Sequence, residues 1–397
     1  MQGTTSRQDD SDGLTRWTNQ VGKIVNTEQE MTEEDIAEQP ILELSATTQL
    51  SDYVSAIAWS PTGNTLAAAT CNGEVHLLKS FVGIMLCPPT GNSIDALAFS
   101  FDGKWLAAGG LDGNITLWRV DRDVPELFDT NAQAHPLRVV ESNSWIYRLV
   151  WSPTCNHLAF NLGKAVQIWD ADQAEVVTNL PGTATPQDLR WSPDGNHLAV
   201  ATKNDVHIWN SHNWNDRLYQ WELNSPASTL AWSPDGAYLA CAIHDHSIGV
   251  LDWSKVKYLQ EEPVDEADMP TRMSGFPGKI RHLAWADLPP TANFPPFLAA
   301  ATREIVTVWV HTPLDWESWV LELSSGNVID VAFQPKSGVL ASLAEDGWIV
   351  LWQAAVEAVQ VLDGAEEGFC CLGWHPTGCR LAAGGRRGEL FIWSVCG

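Results

Sequence analysis

The chain has 397 residues, with 49 Asp and Glu against 23 Lys and Arg, a formal net charge of −26. That balance excludes nucleic acid and anionic membrane surfaces as partners, because both need clustered Lys and Arg; it fits solubility or attraction to a basic partner protein. No apolar run approaches the ~20 residues a membrane-spanning helix requires, so no membrane insertion is expected.

Residues 1–40 carry nine acidic and three basic side chains and few branched aliphatics. Such a segment buries too little to order itself, so a disordered acidic tail is expected. Within it, Thr32 followed by Glu33, Glu34 and Asp35 would cap one short helix over Thr32–Ala37. The opening MQGTTSRQDDSDG lacks the apolar core of a secretory signal. The eight cysteines show no paired spacing, and Cys241, Cys370 and Cys371 fall inside predicted strands. Free thiols in a reducing cytoplasm are the expectation.

After a lone strand at Ile41–Ser45, one pattern fills the chain. Its clearest copy is Ile94–Val120, three short apolar runs separated by Phe101-Asp102-Gly103 and Asp112-Gly113. Gly accepts the positive φ of tight turns, so apolar runs punctuated by Asp-Gly read as hairpins. The first strand ends on an aromatic at Trp59, Phe99, Trp151, Trp191, Trp232, Trp285, Phe333 and Trp374, at intervals of 40, 52, 40, 41, 53, 48 and 41 residues. Turns such as Ser60-Pro61-Thr62-Gly63 and Ser192-Pro193-Asp194-Gly195 follow it. The second strand opens on Leu66, Leu106, Leu158, Leu198, Leu239, Leu298, Leu340 and Leu381. The third ends on Trp118, Trp169, Trp209, Trp309, Trp352 and Trp393, with Leu78 and Leu251 in the same slot. Small residues such as Ala67-Ala68-Ala69 suit crowded inner strands, and Trp suits the wider gap farther out, where burying a ring removes about 150–250 Å² from water.

Eight such units resemble the WD-repeat β-propeller family, in which each repeat of about 40–45 residues supplies a four-stranded blade. Only Trp169-Asp170 spells the name-giving dipeptide. The resemblance implies an all-β chain: a single closed eight-bladed propeller of four-stranded antiparallel blades over residues 41–397, preceded by the tail of residues 1–40. The last unit stops shortly after Trp393 without a fourth strand, and in the family an N-terminal strand commonly fills that place. Ile41–Ser45 is therefore expected to pair with Glu389–Ser394, removing the exposed edges of an open array. Outer strands are expected at Gly83–Leu86, Leu137–Glu141, Glu175–Leu180, Arg217–Leu223, Lys255–Leu259, Trp319–Leu323 and Val356–Leu362. Insertions are expected at Asp121–His135 after unit two, Glu261–Gly275 after unit five and Leu288–Pro296 within unit six, in surface loops.

In the resembling family, the loops entering the first strand and those joining second to third share one face around the channel mouth. Here that face would gather Tyr53, Trp145, Phe276, Trp348 and Phe369, and rim aromatics are typical interface anchors. Lys203, Arg303 and Arg387 occupy a turn slot that usually carries Asp, with Lys164 and Arg386 beside them; Asp112, Asp245, Glu345 and Asp346 interrupt the set. The implied function is a non-enzymatic scaffold or adaptor that binds partner proteins through this face, monomeric by itself and without a cofactor. Two alternatives stay open, an accessory protein holding a metal or small ligand at the channel mouth and an enzyme with a dispersed site there. The metal candidates are His244 and His246 around Asp245, short of the four ligands zinc takes, and Cys370, Cys371, His375 and Cys379. For the second set, strand alternation predicts that Cys370 and Cys371 point to opposite faces.

Overall fold

The structure is a computed structural model and describes residues 40–79, 82–121, 136–141, 144–256, 269–288, 297–303, 305–312, 316–321 and 326–396. The expected helix at Thr32–Ala37 and most of the Asp121–His135 and Leu288–Pro296 insertions lie outside these residues. The described residues form eight four-stranded antiparallel sheets and no helix. The first strands of blades 1 to 8 are Val54–Trp59, Ile94–Phe99, Leu149–Trp151, Asp188–Trp191, Ala227–Trp232, His282–Trp285, Val328–Phe333 and Phe369–Trp374. Seven blades are continuous in sequence. The eighth takes its outer strand from the start of the described chain, giving a closed ring.

The closing strand is longer than the five residues read from the sequence. It runs Leu42–Gln49 and pairs antiparallel with Glu389–Val395, from Leu42 opposite Val395 to Gln49 opposite Glu389. A side-chain clamp adds to it from blade 7. Gln360 accepts the backbone N–H of Ile41 and of Leu42, each at 2.9 Å, and donates to the Leu42 carbonyl at 2.7 Å.

Burial follows the repeat. Ala67, Ala68, Ala69, Ala299, Ala300, Ala301, Ala382 and Ala383 are fully buried in second strands, where neighbouring blades crowd. Trp118, Trp209, Trp352 and Trp393 are buried on third strands. The first-strand tryptophans do more than fill space. Each indole N–H reaches the preceding blade and donates to the carbonyl just before that blade's own terminal aromatic. The bonds run Trp59 to Gly373 (3.0 Å), Trp151 to Ala98 (3.0 Å), Trp191 to Val150 (3.3 Å), Trp232 to Arg190 (3.3 Å), Trp285 to Ala231 (3.0 Å) and Trp374 to Ala332 (3.1 Å). Blades 2 and 7 carry Phe99 and Phe333 in this slot, which have no N–H to give.

Two expectations need correction. Blade 5 takes its outer strand from Thr271–Met273, inside the segment expected as the Glu261–Gly275 insertion, whereas residues 257–259 of the expected Lys255–Leu259 strand lie outside the described residues. Met273 is buried there among Phe276, Ile280 and Trp285, and that core contact selects the later segment. The two thiols also do not point apart. A β-bulge at Phe369/Cys371 breaks the alternation, and both sulfurs sit over the Val54 carbonyl of blade 1, Cys370 at 3.0 Å and Cys371 at 3.7 Å.

Candidate site at the channel mouth

Backbone hydrogen bonds join the entry loops to the second-to-third turns and put them on one face. Cys71 N–H donates to Tyr53 O, Leu111 to Ser93, His244 to Pro226, Glu345 to Asn327 and Arg386 to Gly368, all between 2.8 and 3.1 Å. The first strands begin at this face, and in five of them a bulge follows the first residue. The breaks fall at Val54/Ala56, Ile94/Ala96, Ala227/Thr229, Val328/Asp330 and Phe369/Cys371. A bulge inserts one unpaired residue and re-aims side chains. Four of these extra residues, Ser55, Asp95, Ser228 and Cys370, reach a neighbouring blade. Ser55 donates to Ile94 O, Ser228 to Ile280 O at 3.0 Å and Cys370 to Val54 O, while Asp95 accepts the Trp145 indole N–H at 3.0 Å.

The nominated aromatics divide. Trp145 is 50 % and Trp348 43 % exposed, both on the loop face. Tyr53 is half-buried, and its hydroxyl pKa is raised by desolvation and by neighbouring Cys370. Phe276 and Phe369 are core residues, which removes them from the rim. Phe276 lies 5.5 Å from the Trp309 ring, and Phe369 packs between Phe391 and Trp393 at 5.4 and 5.8 Å. Phe369 is the first residue of its strand, and Phe276 lies in the loop entering blade 6, which folds its ring back into the core with Met273 and Ile280.

The cations divide as well. Lys164, Lys203 and Arg303 are exposed, with no carboxylate partner among the described residues. Arg387 is engaged by Glu366 and Glu367, and Arg386 is half-buried. Among the described residues no three His, Cys, Asp or Glu side chains gather as metal ligands. His244 and His246 flank Asp245, whose carboxylate is taken by Ser247 and Arg272. His375 is instead part of the closing seam. Its Nδ1 accepts from Thr377 N–H at 3.1 Å and its Nε2 donates to Gly63 O of blade 1 at 3.1 Å. Gly63 has φ 73°, and a Cβ there would occupy the space of the His375 ring.

The channel also holds charged groups that the turn alignment did not single out. Asp188 is fully buried at the start of blade 4. Its carboxylate accepts from Leu230 N–H at 2.8 Å and the Thr229 hydroxyl at 3.0 Å, both on blade 5. Arg148 on blade 3 and Arg190 on blade 4 flank it through Nε at 3.1 and 3.3 Å. Burial alone would raise the Asp188 pKa; the two guanidiniums and the hydrogen bonds outweigh it and hold the carboxyl below its usual range. Across the channel, His282 of blade 6 meets Asp330 of blade 7 at 3.3 Å. Desolvation raises the Asp330 pKa against the pull of His282 and, from the far side, of Arg190. The available signal was a charged residue or His three positions before the first strand's terminal aromatic, as at Arg148, Asp188, His282 and Asp330.

A comparison with sequence models of protein families matches the WD domain, G-beta repeat, at residues 39–77, 84–119, 175–210 and 356–394. Each matched stretch starts near an outer strand and ends at or near the third strand of the next blade. The sequence repeat is thus out of phase with the blade, which is why the first outer strand is left to close the last blade.

Proposed function

We propose that this chain, in which the WD domain, G-beta repeat matches four stretches of an eight-bladed ring, is a non-enzymatic scaffold binding partner proteins through the loop face around the channel. Propellers of this kind commonly serve as protein-interaction scaffolds. The observation that carries the reading is the pair of large exposed aromatics on that face, Trp145 and Trp348. They stand on a ring held rigid by blade-to-blade hydrogen bonds, and aromatic anchors on a rigid frame lose little conformational entropy on binding. All eight cysteines are unpaired, which supports placing the protein in a reducing cytoplasm. We take it to be monomeric by itself, to need no cofactor and to act on proteins rather than on a small substrate.

The test is affinity capture from native lysate with intact protein beside a W145A/W348A variant. Both sites are solvent-facing, so the variant should fold. A stoichiometric partner held by the intact protein and lost by the variant is the expected result. A partner retained equally by both would move recognition off this face, and no partner for either would remove the scaffold reading.

A further inference from the structure

Asp188 lies against both guanidiniums on their Nε side, at 3.1 Å from Arg148 and 3.3 Å from Arg190, while the Arg190 Nε–H donates to the Leu230 carbonyl of blade 5 at 3.2 Å, and their outer edges are left free of Asp188. Arg148 and Arg190 keep 42 % and 44 % of their side chains exposed although they stem from inner strands, so that exposure opens on the channel. The Arg148 terminal nitrogens make one bond, to the Tyr147 carbonyl at 3.3 Å. Those of Arg190 have no polar partner among the described residues. Arg190 is seated against blade 5 through the Leu230 carbonyl, and its charge reaches Asp330, three blades away. Two guanidiniums thus lie side by side against one buried carboxylate, which balances only one of their two charges. A pair of oriented planar forks is the geometry that receives a carboxylate in bidentate fashion.

The surrounding face extends the same sign. Lys164, Lys203, Lys279 and Arg303 stand on the turns and entry loops of blades 3, 4 and 6, all exposed and without a carboxylate partner among the described residues. In a chain of net charge −26, uncompensated cations gathered on one arc are a local exception. The far arc is net acidic, with Asp52, Asp112, Asp346, Glu366 and Glu367 on the loops of blades 7, 8, 1 and 2 against Arg386 and Arg387, the latter paired with Glu366 and Glu367. Screening confines each charge to about 8 Å at physiological ionic strength, so an approaching segment responds to the arc beneath it more than to the net charge.

We propose that the blade 3–6 arc binds an acidic peptide segment of a partner protein, with one Asp or Glu side chain entering the channel mouth to be held by Arg148 and Arg190. This rests on the loop-face scaffold reading and names the chemistry of its partner. Lys164, Lys203, Lys279 and Arg303 then steer and register the segment, while the arginine pair supplies the specific contact.

The test uses the full chain and three short fluorescein-labelled peptides of one framework, Glu-rich, Gln-rich and Lys-rich, read by anisotropy at physiological salt. The Glu-rich peptide binds, and the other two do not. R148K and R190K keep the charge beside Asp188 but lose the fork, and each weakens binding about tenfold or more. K164Q/K203Q/R303Q, which touches no buried group, weakens it by a smaller factor and keeps the test open should an arginine variant fail to fold. Binding of the Gln-rich peptide as tightly as the Glu-rich one overturns the proposal, as does unchanged affinity in folded R148K and R190K. No binding of the Glu-rich peptide also overturns it, and leaves the scaffold reading to be judged by the lysate capture.

Discussion

At the scale of single residues, the ring is held by bonds that a hydrophobic count does not see. Six first-strand tryptophans donate to the blade before them, and Phe99 and Phe333 mark two seams where that bond is absent. Replacing Trp191 or Trp232 by Phe keeps most of the apolar volume and leaves one carbonyl unpaired. A loss of about 1 kcal/mol each is predicted, read as a lower urea midpoint at unchanged slope. His375 carries a second residue-scale prediction. Only the neutral ring can accept at Nδ1 while donating at Nε2, and desolvation lowers its pKa below the ordinary ~6.5. With the folded pKa depressed, its stabilisation is full above the unfolded pKa and is lost as pH falls through the folded value. The melting-temperature gap between the native chain and H375N should therefore narrow as pH is lowered from about 7.5 to about 5. A gap that does not change with pH would show that the imidazole does not couple the seam to protonation.

At the scale of elements, closure depends on one strand and one side chain. Leu42 is 1 % exposed in the core shared with blade 7, and Gln360 mimics a neighbouring strand by satisfying two N–H groups and a carbonyl of the closing strand. Q360A removes all three bonds from a partly buried site. It should cost about 1–3 kcal/mol and speed hydrogen exchange in Leu42–Gln49 before the rest of the ring; equal exchange in both proteins would remove the clamp. This element could be read from the sequence because the last unit lacked a fourth strand. Thr271–Met273 was not legible: Lys255–Leu259 has equal strand character, and only the burial of Met273 decides between them. The bulges escaped for a related reason, since a period of two assumes unbroken alternation and so sent Cys370 and Cys371 to opposite faces.

At the scale of the whole molecule, the repeat made nearly all of the architecture readable, because eight copies of one apolar pattern fix blade number and strand order together. The site was legible only in part. Turn alignment put Lys203, Arg303, Trp145 and Trp348 on the loop face, where they are exposed, because position in a loop or turn sets exposure for residues at its tip. It failed for Phe369, whose ring turns into the core as its strand begins, and for Phe276, whose loop folds back onto the core. It could not show that Arg148, Asp188 and Arg190 meet, since that contact joins blades through the channel. The resulting face is basic over blades 3–6 and net acidic over blades 7–2, so a partner meets a polarised ring with two tryptophans on opposite sides. The most direct measurement is hydrogen exchange on the full chain, alone and with its captured partner bound. The account predicts protection around Trp145, Lys203, Arg303 and Trp348, with the opposite-face turns at Ser60–Gly63, Ser192–Gly195 and Ser233–Gly236 unchanged. Protection confined to those opposite turns, with the loop face exchanging freely, would contradict it.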